Sequence, residues 1–502
     1  MSITGPGSIT AANIQAVTNM NNQLDKLSAE LGSGQATQTY SGLGSQAGLA
    51  LSLSAQLAAL NGYSSTATTV GTTLSIAQAA LTGIDSTANT VQQSLEQPEA
   101  FNLDSNGQTP TQESAASALD QIVSLLNTQV GNNYIFSGSA VNQPAVASTD
   151  AILNGNGAQA GLKQLISQRQ QADLGVGNLG RLSLATATST MTVSQDGSPF
   201  GFQLGSVNSS LTGATVTGPI GSPPSVSVDF GATPPNAGDT IQFGLTLPDG
   251  SSQTITLTAT NASPPGANQF TIGATAGATA TNLQTALTGA LSNLAQTALP
   301  AASAIAAAND FFNSDPPQIV AGPPPYNASM SLVSGTPANT VFWYTGENGG
   351  TPALQTALAQ VGPSTTVAYG MRANEPAFAN LLANIGALAA TTYSASDPNA
   401  QASYDALSQK VITNLTPQSG TQSVADIEAD LANAQTTVKN ASNLNTQTQT
   451  TLSGMLQGME GINQDQIGEQ ILALQNSLSA SMSVTARLAQ LSLVNFLSPV
   501  TG

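Results

Sequence analysis

The chain has 502 residues, 8 Lys+Arg against 26 Asp+Glu, a formal net charge of −18, and neither Cys nor His. Thiol nucleophiles, imidazole bases and most zinc sites are therefore excluded, and so few cations argue against nucleic acid and anionic membrane surfaces as partners. Only 7% of residues are charged, and Ala, Gly, Ser, Thr, Asn and Gln fill the difference. Such a neutral, polar surface suits a protein whose faces are buried against copies of itself.

No uninterrupted run of about 18 apolar residues occurs, which predicts no membrane-spanning helix. The opening MSITGPGSITAANIQAV has no basic n-region and no apolar h-region of a cleaved signal. An extracellular location would require another export route.

In chain order, 14–31 reads as an amphipathic helix with Val17, Met20, Leu24, Leu27 and Leu31 on one stripe, stopped by Gly32-Ser33-Gly34. A loop to about Gly44 follows. From Leu49 to Leu95 two series recur in sevens. The first is Leu53, Leu60, Ala67, Leu74, Leu81, Ala88 and Leu95; its companion is Leu49, Gln56, Tyr63, Val70, Ala77, Ile84 and Val91. Two interleaved series of this period form a coiled-coil seam. One helix of that span is roughly 70 Å long at ~1.5 Å per residue, and needs another long helix to cover it. Gln97-Pro98 ends it.

A helix over 111–129, an aromatic strand within 131–138 and a short helix at 162–169 come next. From about Ser183 the texture turns to strands: 226–230, then 239–247 and 254–258 around a Pro248-Asp249-Gly250 turn, then 341–344. One helix, about 280–308, lies inside this block, and Pro-rich loops punctuate it. Helices return with 376–388, carrying Phe378, Leu381, Leu382, Ile385 and Leu388, and with 401–415. Then Val424, Leu431, Val438, Asn445, Leu452 and Met459 recur in sevens beside Ile427, Ala434, Ala441, Thr448, Met455 and Ile462. The last helix, 467–497, carries Ile467, Ile471, Leu474, Leu478, Met482, Leu488 and Leu491 before Pro499.

The simplest inference is that the two heptad stretches pair; two unrelated helical hairpins are the alternative. The predicted fold is mainly α with an inserted β-rich region, its long N- and C-terminal helices pairing into a coiled-coil rod. The expected divisions are terminal assembly segments at 1–45 and 465–502, an α-helical rod domain at 46–180 and 366–464, and β-rich outer domain or domains at 181–365. The assembly seam is assigned to Leu53, Leu60, Leu74, Leu81, Ile84, Val91, Leu431, Val438, Leu452 and Met459. Terminal-helix assembly is assigned to Val17, Leu24, Leu27, Leu31, Ile471, Leu474, Leu478, Leu488 and Leu491.

Sites for chemistry are not expected. Gly273–Gly277 and Gly349-Gly350 have no phosphate-loop lysine, and Asp196, Asp229, Asp239 and Asp249 lack calcium-loop spacing, so no catalytic, cofactor or metal residue is assigned. Lys26, beside Asp25 and Glu30, and Arg487 are either ion-pair partners between terminal helices or subunits, or solvated charges. Gln56, Asn445 and Thr448 are either register-fixing polar layers or neutral imperfections in the seam.

NNYIFSGSAVNQPAV at 132–146, after a heptad-bearing N-terminus, resembles the bacterial flagellin family, and SMSVTARLAQLSLVNFL at 481–497 is similar to its hook–filament junction members more than to its filament members. Gly32-Ser33-Gly34, with no basic residue after it, also departs from the filament pattern. The resemblance covers roughly 1–175 and 366–502. It implies a non-enzymatic, cofactor-free structural subunit of the extracellular bacterial flagellum, exported without a cleaved signal and self-assembling through its terminal helices. Its implied partners are copies of itself, other axial proteins (hook-associated proteins and flagellin) and an export chaperone, with no nucleic acid and no membrane insertion. A filament-forming flagellin is the close alternative, and a secreted surface adhesin the distant one.

Overall fold

Between Pro6 and Pro98, and again between Pro417 and Pro499, the chain holds no proline. Ala- and Leu-rich sequence there can run as long helix without losing a backbone donor. The computed structural model describes residues 6–37, 39–97 and 101–496. It is 53% helical, with long helices at both ends and a β-rich region between them. The helices are α1 (Pro6–Ser33), α2 (Ala47–Glu96), α3 (Pro110–Leu126), α4 (Thr149–Asn154), α5 (Leu162–Leu174) and α6 (Ala276–Gln296). They continue with α7 (Ala298–Phe312), α8 (Pro376–Ala390), α9 (Ala400–Leu415), α10 (Val424–Glu460) and α11 (Gln464–Phe496).

The strands are β1 (Gln129–Val130), β2 (Asn133–Tyr134), β3 (Leu182–Ala187), β4 (Thr190–Gln195), β5 (Gln203–Ser209), β6 (Ala214–Ile220) and β7 (Ser225–Phe230). They continue with β8 (Thr240–Thr246), β9 (Ser252–Thr260), β10 (Gln269–Thr271), β11 (Gln318–Val320), β12 (Leu332–Ser334), β13 (Leu358–Gln360) and β14 (Thr366–Ala368). Residues Tyr40–Gln46, expected to be loop, form a 3-10 turn.

The chain divides into two compact units. The first comprises Met1–Thr69, Ala359–Val367 and Thr437–Gly502, and the second Val70–Leu358 and Ala368–Thr436. In the first, α1 packs on α11. The joint beside them is made by backbone: Ala36 N–H donates to the Glu460 carbonyl at 2.7 Å, and Ile462 N–H to the Gly34 carbonyl at 3.3 Å. Gly34 ends α1 with φ at +72°, a left-handed geometry that costs a residue with a Cβ.

In the second unit, two four-stranded sheets, in the orders β3-β4-β7-β6 and β10-β9-β8-β5, share one apolar core with α6. The alternation expected of 226–230 and of the 239–258 hairpin is present: Val226, Val228 and Phe230, then Ile241, Phe243 and Leu245, then Ile255 and Leu257, all point inward. β8 and β9 pair antiparallel, with Phe243 opposite Ile255. At their turn Asp249 Oδ1 accepts from the Ser251 N–H at 3.1 Å, and Gly250 takes φ +82°. On α6, Leu283, Leu287 and Leu291 recur every four residues toward the sheets. Each such leucine stabilises the fold by about 1.5–3 kcal/mol when fully buried.

The rest of the second unit is helical. α7 packs on α5, α8 and α9, and α3 packs on α8. Nearly every residue of α7 from Ala298 to Phe312 is buried. At Gly83 of α2 an added Cβ would stand 3.0 Å from Leu125 Cδ1, so that glycine marks a close approach to α3.

Three local readings of the sequence are corrected. The single helix expected at 280–308 is two, broken at Thr297 (φ −121°, ψ −75°). Pro300 has no N–H to give the Gln296 carbonyl, and its ring crowds that carbonyl. Residues 341–344 form no strand; Thr340 and Tyr344 make only lone bridges, to Ala160 and Val146, while the Trp343 indole turns inward. By length and composition, the helical stretch Tyr40–Glu96 contains a window apolar enough to cross a membrane, because Ala and Leu outweigh its scattered hydroxyls there.

Candidate assembly surface

Along α2 the buried positions are Ala50, Leu53, Leu60 and Ala67 in the first unit and Val70, Leu74, Ala77, Ala80, Leu81, Ile84, Thr87 and Val91 in the second. The first heptad series is therefore buried from Leu53 to Leu81, with Ala88 and Leu95 half-buried. The companion series is buried from Val70 onward but not before it: Leu49 and Gln56 are exposed and Tyr63 is half-buried. At this end the inward neighbours of the first series are Ala50, Leu57 and Ser64, one residue along. Leu49, Leu51 and Leu53 stand together in sequence, and only the helix's rotation decides which of them turns inward.

On α10, Ile427, Leu431, Ala434, Val438, Ala441 and Asn445 are buried, Leu452 and Met459 are half-buried, and Met455 is exposed. Polar contacts place the two heptad stretches side by side within each unit. Gln449 Nε2 donates to Ser64 Oγ at 3.1 Å in the first. In the second, Gln435 Nε2 donates to Ser75 Oγ at 3.1 Å and Thr82 Oγ1 to Glu428 Oε1 at 3.4 Å. In the second unit residue numbers rise along α2 as they fall along α10, so the helices are antiparallel there.

The polar seam residues behave differently from one another. Asn445 is 2% exposed, and its Nδ2 donates to the Val361 carbonyl at 2.8 Å, on the β13–β14 hairpin. Thr448 returns its hydroxyl to the Leu444 carbonyl, and exposed Gln56 bonds Ser52 on its own helix.

On the terminal helices, Leu27 is buried, Val17, Leu24, Ile471, Leu474 and Leu478 are half-buried, and Leu31 is exposed. The side chains of Leu488 and Leu491 lie outside the described residues. Met482, expected on the stripe, is exposed, while Ser481 and Thr485 take the inward positions. Beyond these, Ile14, Leu49, Leu51, Leu444, Met455, Leu472 and Val484 are each half or more exposed in the first unit. A partly covered stripe flanked by exposed leucines gains apolar burial when another helix is laid on it. Lys26 pairs with Glu30 at 3.6 Å on the same helix, and Arg487 is exposed.

Sequence reasoning missed where four of the other six cations go. Arg169, Arg181, Arg372 and Lys410 are all nearly buried and ion-paired in the second unit. Arg169 bonds Asp173 through Nε at 3.0 Å and Asp310 through Nη1 at 2.5 Å, with its guanidinium 5.2 Å from the centre of the Phe200 ring. Burial pushes both carboxyls above the usual range, and Arg169 pulls them back. Arg372 Nη2 donates to Glu347 Oε1 at 3.1 Å beside Gly138, and a bridge from Ser137 to Arg372 ties the aromatic run 131–138 to the approach to α8. Phe136 meets Phe378 edge-on at 5.9 Å. That run holds only the two-residue strand β2, paired with β1 just before it, and no longer strand. Among the described residues, no group of three or more acidic side chains is placed to hold a metal ion.

Residues 8–141 match the bacterial flagellin N-terminal helical region. The flagellin-type segment thus covers α1, α2, α3 and the β1–β2 turn, where the exposed stripe, the long seam and the Arg372-anchored run are found. Among curated proteins, none matches the chain.

Proposed function

We propose that this chain is a structural subunit of the bacterial flagellum that self-assembles through its terminal helices, joining hook to filament. The observation that carries the reading is the flagellin-type region at 8–141, on which α1 pairs with α11 and leaves apolar side chains uncovered. A helix pair with one covered and one open face is suited to adding further helices from neighbouring copies. In this reading Val17, Leu24, Leu27, Leu31, Ile471, Leu474, Leu478, Leu488 and Leu491 form the inter-subunit contacts. The α2–α10 seam stiffens each subunit, and the β-rich block faces outward. Partners are other copies, neighbouring axial proteins and an export chaperone that shields the terminal helices beforehand.

The flagellin-type match also fits a filament-forming subunit, and the C-terminal run 481–497 is what favours the junction. Immunogold labelling of intact cells separates them. A single narrow band at the distal end of the hook supports the junction, and label along the whole filament supports the filament subunit. Label elsewhere on the cell surface would remove the flagellar reading.

A further inference from the structure

Where α7 ends, the second unit holds a pocket of about 170 Å³. Phe312, Phe342 and Trp343 form one wall, and Asp315, Asn348 and Asn374 stand on its rim. The aromatic wall is held from behind: Trp343 Nε1 donates to the Phe312 carbonyl at 3.1 Å, and the two rings meet at 5.2 Å. The indole N–H is thus already used, and Phe342 is the ring that keeps a half-exposed surface.

The rim is a relay. Asn374 Nδ2 donates to Asn348 Oδ1 at 3.4 Å, and Asn348 Nδ2 donates to Asp315 Oδ2 at 2.8 Å. This orients the rim and leaves acceptors, Asp315 Oδ1 and Asn374 Oδ1, with no bond among the described residues. A pocket with an apolar wall and a rim of oriented acceptors calls for a ligand with one C–H-rich face and several O–H donors at its edge. The carboxylate of Asp315 disfavours an anion. At about 170 Å³ the space falls below the ~300–1,000 Å³ of drug-sized sites, which restricts the ligand to one small ring.

We propose that this pocket binds a single neutral pyranose, the terminal sugar of a surface glycan. The ring's C–H face lies on Phe342 and the edges of Trp343 and Phe312, and neighbouring hydroxyls donate to Asp315 and Asn374. The subunit then carries a glycan-binding function separate from assembly.

Trp343 is the chain's single tryptophan, so its emission reports the pocket alone. The full chain is titrated with the methyl glycosides of glucose, galactose, mannose and N-acetylglucosamine. At least one should give a saturable emission change with half-saturation in the millimolar range. N374A should weaken it about tenfold, the loss expected for one hydrogen bond of about 1.4 kcal/mol, and N348A, which unties the two side chains it orients, should weaken it several-fold. Asn348 is exposed, so its truncation should leave the sugar-free emission unchanged; should it not, N374A and D315N carry the comparison. No saturable change with any glycoside, or the same half-saturation in all the variants, overturns the proposal.

Discussion

Arg169 holds two carboxylates that burial alone would neutralise, so its removal leaves both Asp173 and Asp310 in a poorly hydrated site without their cation. Breaking a buried pair in this way costs about 3–5 kcal/mol, so R169M should lower the urea midpoint of the second unit at neutral pH. The pH dependence has a definite sign. A carboxyl whose folded pKa is raised binds more protons folded than unfolded, so it opposes folding above that pKa, and the penalty lifts as pH falls toward 3.8, the unfolded value. Losing Arg169 raises both pKa values further. The deficit of R169M against wild type should therefore shrink as pH falls from neutral toward 3.8, where carboxylates common to both proteins cancel. An unchanged deficit would mean the two acids are not charged at neutral pH. Asn445 makes a smaller residue-scale case. In N445A the buried Val361 carbonyl loses its donor, which costs about 1–3 kcal/mol. The Val361 amide, bonded to the Thr365 carbonyl across the hairpin, should then exchange faster with solvent.

At the scale of elements, period carried most of what could be read in advance. Leu53, Leu60, Leu74, Leu81, Leu431 and Val438 recur in sevens and are buried. The β8–β9 hairpin follows from its alternation and its Pro-Asp-Gly turn. What period does not carry is the phase of a helix with leucine on several faces, as at Leu49–Leu53, or the partner of a polar side chain far along the chain. Asn445 with Val361, and Arg169 with Asp310, are separated by 84 and 141 positions, and nothing local marks them. The difference in burial along the seam changes what a charge would do there. Leu74 is fully buried, whereas Leu452 is half-buried. L74D should therefore exceed the ~2–5 kcal/mol of a large-to-small core change, because a carboxylate is also desolvated, while L452D should cost less, its carboxylate reaching water. Circular dichroism melts of the two variants should show L74D with the lower first transition. Equal melts would mean that the Leu452 end of the seam is as closed as the Leu74 end.

On the scale of the whole molecule, the region 181–365 contains two kinds of packing. The sheets and α6 close a core of their own, running from Leu182 to the start of α7. α7 belongs to the helices: most of it from Ala298 to Phe312 is buried, and it packs on α5, α8 and α9. We therefore propose that the separable outer block is 182–296 rather than everything between the helical halves. Two excisions test this. Replacing 182–296 with a Gly/Ser linker of about a dozen residues, whose mean reach is roughly 20 Å, removes the sheets but keeps α7 among its helices. That variant should retain helical circular dichroism and a cooperative transition, destabilised by loss of the Lys410–Asp249 ion pair and the Arg181–Asp196 pair. Replacing 181–365 removes α7 as well, along with the Val361 carbonyl that bonds Asn445. Its loss strips the buried faces of α5, α8 and α9, and domains stable by only ~5–15 kcal/mol do not survive the exposure of a whole core helix. The larger excision should give a broad, weakly cooperative melt and bind a hydrophobic dye, while the smaller should not. Equal cooperativity in the two would show that α5, α8 and α9 close a core without α7.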